Sequence, residues 1–208
     1  MPDQDGVVVR VVDDDDAMRR SWIFLLEGEG WQVRGYPSAE HFLAEEDGLA
    51  PGCLLLDVRM PGRSGLELQE EMRRRGLELP IIFVTAHGDI DMAVHTLKRG
   101  ACDFLQKPVD DERLAQVVVA AVARDQVRRC QTQGVQADRQ RFEALTLREK
   151  EVVRLVGAGL PNKLVADRLG IAEKTVQVHR GNACRKLGLR SAAEVARLLV
   201  RIEEAGPA

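Results

Sequence analysis

No run of about 18 or more apolar residues occurs in the chain, so no membrane span is expected. The opening residues, Met1-Pro2-Asp3-Gln4-Asp5, are acidic and lack the apolar core of a secretory signal, which makes the cytoplasm the expected compartment. Cysteines are few and scattered: Cys53, Cys102, Cys130 and Cys184 form no C-x-x-C pair. Free thiols in a reducing compartment are the simplest reading, and the clustered ligands of a zinc site are missing. Internal repeats and low-complexity segments are also absent, which excludes solenoids.

What remains is a chain of 208 residues, 45% hydrophobic and 30% charged, with room for two small domains. Its net charge of −3 hides a division. Residues 1–125 hold 14 Lys+Arg against 24 Asp+Glu, and residues 126–208 hold 16 against 9. An acidic front half suits cations or phosphate chemistry, and a basic back half suits nucleic acid.

The front half alternates apolar runs with amphipathic stretches. Val7–Val12, Trp31–Gly35, Cys53–Asp57, Pro80–Thr85 and Ala101–Leu105 read as strands. Between and after them, helices are expected over Ala17–Glu27, from Ser38 to about Glu46, from Ser64, from Asp89 to Lys98, and from Asp110. Five β-α units in about 120 residues predict a parallel sheet with helices on both faces. Function in such sheets gathers at the carboxyl edge of the strands.

That edge is where the polar residues fall. Asp13 and Asp14 follow the first strand, Asp57 ends the third, Thr85 the fourth, and Lys107 follows the fifth. Three carboxylates brought together repel and call for a divalent cation, and oxygen-only ligands favour Mg²⁺. A carboxylate beside Mg²⁺, a cationic lysine and a hydroxyl donor is a suitable phosphoryl acceptor. Each residue taken alone has a plainer reading: Asp13–Asp16 as an acidic helix start, Lys107-Pro108 as a surface turn. Their joint occurrence after separate buried strands favours the site.

After Val122 a polar, arginine- and glutamine-rich stretch containing Gly134 reads as the last helix running into a linker. From Leu145 the chain is helical in short pieces. Thr146 and Glu149 have capping-box spacing, Asn162–Leu169 is stopped by Gly170, Glu173–Leu187 follows, and Ser191 caps a fourth helix. A short helix, a tight turn and a longer helix have helix-turn-helix spacing. On the longer one, Val176, His179, Ala183 and Leu187 form an inner stripe. Lys174, Gln177, Arg180, Gly181, Cys184 and Arg185 lie largely off it.

Residues 7–122 resemble the receiver domain of bacterial response regulators. The resemblance is carried by Asp13-Asp14, by Leu54-Leu55-Leu56-Asp57-Val58-Arg59-Met60-Pro61-Gly62, by Thr85-Ala86-His87-Gly88-Asp89, and by Lys107-Pro108. Thr85–Ile90 and Gly100–Pro108 resemble the FixJ subfamily in particular, with Asp91 where that subfamily often has proline. Residues 145–200 resemble the LuxR-type helix-turn-helix through Leu145–Glu149, Gly159–Lys163, Ile171–Arg180 and Arg185–Gly188. The chain is thus similar to response regulators of the FixJ/NarL family.

That resemblance implies an α/β architecture: a (βα)5 flavodoxin-like receiver domain with a parallel five-stranded sheet over 1–124, a helical linker over 125–142, and an all-α four-helix LuxR-type helix-turn-helix domain over 143–208. It implies Asp57 as phosphoacceptor. Asp14, Asp57 and the Arg59 carbonyl would hold Mg²⁺, with Asp13 acting largely through water. Thr85 is the switch hydroxyl, Lys107 a phosphate partner and Phe104 the switch aromatic. Val94, Lys98 and Asp103 would lie on a face that pairs two receivers. Gln177, Val178 and Gly181 would face base edges, and Lys163, Lys174, Thr175, Arg180, Arg185 and Lys186 would serve the DNA contact, mainly through phosphates. The implied partners are a sensor histidine kinase, double-stranded promoter DNA, a second copy on phosphorylation, and RNA polymerase where the protein activates. A competing enzyme reading starts from Asp13-x-Asp15, which resembles the opening of haloacid-dehalogenase-type phosphatases. The short span from Asp57 to Lys107 leaves little room for their substrate cap, and a DNA-binding tail fits poorly. No turnover beyond Mg²⁺-dependent self-phosphorylation and dephosphorylation is expected.

Overall fold

The structure, a computed structural model, describes residues 6–86 and 96–205. The expected helix start at Asp89, the departure at Asp91 and the dimer-face residue Val94 lie outside them. The chain divides into two compact units, residues 1–129 and 130–208.

The first unit is built on β1 (Val8–Val12), β2 (Gln32–Tyr36), β3 (Gly52–Asp57), β4 (Ile81–Thr85) and β5 (Asp103–Gln106). All pairings are parallel, in the order β2-β1-β3-β4-β5. Three helices accompany them: α1 (Asp16–Gly28), α2 (Ala39–Glu45) and α3 (Gly65–Arg74). Residues 96–98 are helical as well.

Alternation along the buried strands decides which layer each residue joins. Val9, Val11, Cys53, Leu55, Ile82 and Val84 pack with Trp22, Leu26, Leu114, Val118 and Val122 on one face. Val12, Leu54, Leu56, Ile81 and Phe83 pack with Phe42, Leu68 and Met72 on the other. Helix starts are fixed by short polar side chains. Asp15 accepts from the amides of Ala17 and Met18, Ser38 caps α2, and Ser64 forms a reciprocal capping box with Glu67.

The apolar reading of β1 passed over Arg10, which is fully buried. Its guanidinium donates to both Glu46 oxygens at 3.0 and 2.9 Å, and to the carbonyls of Val8, Ala50 and Pro51. Tyr36 donates its hydroxyl to Glu46 at 3.0 Å. Burial pushes the Tyr36 phenol up to about 12, helped by the Glu46 charge. Gly52, at φ +145°, cannot be replaced here, since a Cβ would sit 1.8 Å from the Val8 carbonyl oxygen. Its amide donates to the buried Asp125, which also accepts from Arg128 and Arg129. Arg129 in turn donates to the carbonyls of Gly48, Leu49 and Ala50. Two arginines therefore satisfy the carbonyls of the 46–52 loop at the amino edge of the sheet.

Asp125 belongs to α4 (Asp111–Glu143), a single helix of 33 residues. The segment 125–142, expected as a helical linker, is continuous with the preceding turns. Gly134, the one glycine of that polar stretch, lies inside the helix, and a Cβ at that position would meet no neighbouring atom within 4 Å.

The second unit holds the end of α4 with α5 (Leu147–Gly157), α6 (Asn162–Leu169), α7 (Glu173–Leu187) and α8 (Ala192–Glu204). Thr146 with Glu149 and Ser191 with Glu194 form capping boxes, while Gly170 and Gly188 end α6 and α7 in the left-handed conformation. Phe142, Leu145, Val153, Ala183, Leu187, Val195 and Leu198 form one core cluster, and Val152, Val156, Val165, Ala166 and Val176 another. Among the described residues no helix is long and apolar enough to cross a membrane.

The Arg10–Glu46 pair makes a stability prediction. Burial raises the Glu46 pKa, but the Arg10 hydrogen bonds and charge, with the Gly48 amide and Tyr36 hydroxyl, outweigh it and hold it below the ordinary value of 4.5. This pairing contributes stability above about pH 4.5 that is lost as pH falls through the lowered folded pKa. Arg10→Met leaves the buried carboxylate uncompensated and should cost about 3–5 kcal/mol at pH 7.5 in urea unfolding. The difference from wild type should shrink at pH 4, where Glu46 of the variant is protonated.

Candidate functional site

Strand register brings the expected residues together at the carboxyl edge. Val12 stands beside Leu56, Asp57 beside Val84, and Thr85 beside Gln106. The residues that end or follow β1, β3, β4 and β5 therefore emerge at one level, where the order β2-β1-β3 reverses direction and opens a crevice.

Asp13, Asp14 and Asp57 each bring a carboxylate oxygen within 4.8 Å of the others. Asp13 is buried, Asp57 half-buried and Asp14 exposed. The Lys107 ammonium donates to Asp13 Oδ2 and to Asp57 Oδ2, both at 2.8 Å. Lys107 is itself placed by its amide, which donates to the Thr85 carbonyl at 2.9 Å, and the Lys107–Pro108 peptide is cis. Asp13 is held by the Asp15 amide at 2.9 Å, and its carbonyl accepts from Arg19 at 2.7 Å. Asp57 Oδ1 accepts from the Arg59 amide at 3.1 Å. Thr85 is buried, and Phe104 is half-buried against the α2–α3 side of the sheet.

The charges interact strongly. Burial raises the Asp13 pKa, and Lys107 offsets only part of that rise. For Lys107, burial works against the ammonium, but the hydrogen bonds and charges of Asp13 and Asp57 outweigh it and lift its pKa. One cation thus faces three carboxylates, leaving an excess of negative charge among hard oxygen donors. That donor set fits a divalent ion of the magnesium type.

Gly65 was not singled out from the sequence, yet it shapes the turn after Asp57. Its amide donates to the Val58 carbonyl at 3.0 Å, and a Cβ there would lie 2.3 Å from the Asp57 carbonyl oxygen. The Met-Pro-Gly-x-Ser-Gly spacing was the available signal. Asp103 is half-buried, accepts from the Phe104 amide and pairs with Arg113 at 3.1 Å, while Lys98 is exposed.

In the second unit, α7 follows α6 after a three-residue turn and exposes Lys174, Thr175, Gln177, Val178, Gly181, Arg185 and Lys186. Lys163 is exposed on α6, and Arg180, half-buried, donates to the Asn162 side-chain oxygen at 3.0 Å. Val176, Ala183 and Leu187 face the core as expected, and His179 is half-buried beside them. Lys186, expected on phosphates, is exposed and donates to Glu149 at 2.7 Å. Glu149 is 4% exposed and also serves the capping box of α5, so the lysine neutralises a buried carboxylate.

A carboxylate cluster at the carboxyl edge of a parallel sheet, in a chain whose second unit carries a helix-turn-helix, is the arrangement of a receiver module followed by a DNA-binding module. Comparison with known proteins agrees. Residues 9–119 match the response regulator receiver domain, and residues 143–199 match the bacterial regulatory proteins of the luxR family. Nodulation protein W of Bradyrhizobium diazoefficiens is 45% identical over 191 residues, covering 92% of this chain and 84% of that protein. The transcriptional regulatory protein FixJ of Azorhizobium caulinodans is 41% identical over 194 residues, covering 93% and 92%. Among solved structures, the response regulator StyR superposes with a TM-score of 0.84 at 41% identity, covering 94% of this chain and 99% of that one. Full-length FixJ from B. japonicum gives 0.58 at 38% identity, covering 95% and 97%. The chain belongs to the response regulators that join a receiver domain to a LuxR-type DNA-binding domain, and its relatives include FixJ-like transcriptional regulators.

The pairing of Lys186 with Glu149 gives it a structural role that can be measured apart from DNA contact. Lys186→Met should lower the melting temperature of the DNA-binding unit by stranding Glu149. It should change the salt slope of DNA binding by less than the roughly one unit expected when a phosphate contact is lost, as measured by anisotropy across a salt series.

Proposed function

We propose that the chain is a phosphorylation-controlled transcription factor in which Asp57 accepts a phosphoryl group from a sensor histidine kinase. The observation that carries this reading is the Lys107 ammonium set 2.8 Å from both Asp57 and Asp13, beside carboxylates that can hold a metal. In transfer, a P–O bond forms to an Asp57 oxygen while the P–N bond to the kinase imidazole breaks, and the imidazole takes its proton from solvent. Asp14, Asp57 and the Arg59 carbonyl would hold Mg²⁺, with Asp13 reaching it through water. When bound, the ion neutralises charge on the transferring phosphoryl oxygens. Lys107 pairs with a further phosphoryl oxygen, and the Thr85 hydroxyl donates to another.

Drawing Thr85 towards the phosphoryl group vacates space along β4, and Phe104, next to Phe83 across the β4–β5 pairing, turns inward. The face bearing Lys98 and Asp103 then changes shape and pairs two copies. A symmetric dimer presents two α7 helices to two half-sites of promoter DNA. On α7, Lys174, Thr175, Arg180 and Arg185, with Lys163 from α6, hold the phosphate backbone, and Gln177 and Val178 face base edges. The likeness to FixJ favours activation, with RNA polymerase as the further partner. The reading needs no enzymatic role beyond the phosphoryl chemistry of Asp57, and its setting is the cytoplasm.

Acetyl phosphate with Mg²⁺ should add one phosphoryl group to the wild type, read by mass, and shift it from monomer to dimer in sizing runs. Asp57→Ala should take up none and stay monomeric, and equal dimerisation of this variant would sink the mechanism. Asp14→Asn should weaken Mg²⁺ binding by tenfold or more in calorimetry.

A further inference from the structure

The outward side of α7 is a basic ridge with a gap in it. Lys174, Val178, Gly181 and Arg185 follow one another along the side opposite the buried Val176, Ala183 and Leu187. Glycine is a poor helix former, and in a helix interior it normally marks a place where the fold needs it. Here the fold does not need it. Gly181 has no positive φ, and a Cβ built on it meets no neighbouring atom within 4 Å. One turn earlier Val178 is 55% exposed, an apolar side chain among cations. The glycine floors a shallow cleft of about 320 Å³ whose walls include Gln177, Cys184 and the cations Arg180 and Arg190.

An open cleft floored by a glycine, with Cys184 on one side and a cationic rim, suits one feature of the DNA major groove. The rim attracts phosphates, and the only apolar group that base edges present in that groove is the C5-methyl of thymine. We propose that Gly181 is a specificity-determining position: the gap it leaves between Gln177 and Cys184 admits a thymine methyl group, while Gln177 reads a neighbouring base. This inference rests on the DNA-binding reading above. Any side chain at 181, alanine included, places its own carbon where the thymine methyl would sit. The cost to helix stability of keeping glycine is thereby tied to base discrimination.

The test uses the full chain with acetyl phosphate and Mg²⁺. Wild type is first used to enrich binding sites from random duplexes. Uracil, which lacks only the methyl group, then replaces each thymine of the enriched site in turn, and affinity is read by anisotropy. Wild type should lose about fourfold at one thymine, the worth of one buried methyl group. Gly181→Ala should melt at the same temperature as wild type or higher and bind the thymine and uracil duplexes equally well. Indifference of wild type to uracil at every position would overturn the proposal, as would an alanine variant that keeps the preference. A third arm places neutral methylphosphonates along the site. If Gly181→Ala alters only the response to these, the cleft holds a backbone phosphate and the proposal falls. A wild type that enriches no sequence would overturn the DNA-binding reading itself, an outcome distinct from sequence-specific binding without a thymine preference.

Discussion

Electrostatic repulsion at the carboxyl edge of the first sheet is the constraint around which that unit is arranged. Asp13, Asp14 and Asp57 converge because their strands are parallel, buried and in register. Without compensation, carboxylates within 4.8 Å of one another would oppose the fold that assembles them. Lys107 supplies one positive charge to two of them, and the remaining excess of negative charge calls for a further cation. Affinity for ligand and internal repulsion are the same fact seen from two sides.

The opposite edge is organised by the reverse arrangement. There Arg10 and Arg129 are surrounded by the carbonyls of the 46–52 loop and by the carboxylates of Glu46 and Asp125. Each of these charges has its partner within the fold. The two ends of one sheet thus divide the labour, with reactivity at the carboxyl edge and fixation at the amino edge.

Much of this was legible in the sequence, because the informative signals are local. Continuous apolar runs located the buried strands, and cap residues such as Ser38, Ser64 and Thr146 with Glu149 located the helix starts. The order of polar residues after buried strands located the pocket. What escaped was set by contacts distant along the chain. Arg10 sits in a valine-rich run, and its partner Glu46 lies 36 positions away. Glu149 was legible as a cap, but its pairing with Lys186 spans 37 positions. Gly134 and the polar residues around it read as the last helix passing into a helical linker, without showing that both units pack on that helix. Arg, Gln and Ala are good helix formers, and Asp125 and Asp138 give the helix buried anchors before and after that glycine. Gly181 was conspicuous in the sequence, but only the empty space around it shows that the fold has no use for it.

The shared ownership of α4 has a consequence for how such proteins can be recombined. The match to the luxR-type family begins at residue 143. The core of the second unit begins earlier: Phe142 is buried in it and takes Lys150 and Arg154 over its ring, while the buried Asp138 pairs with Arg201. The first unit likewise needs Asp125 and Arg129 to hold its 46–52 loop. A fusion joined at the family boundary would deprive one module of its last packing layer. The tolerable seam is the short exposed stretch around Gly134, so exchange of output modules between such regulators must carry part of this helix along as cargo.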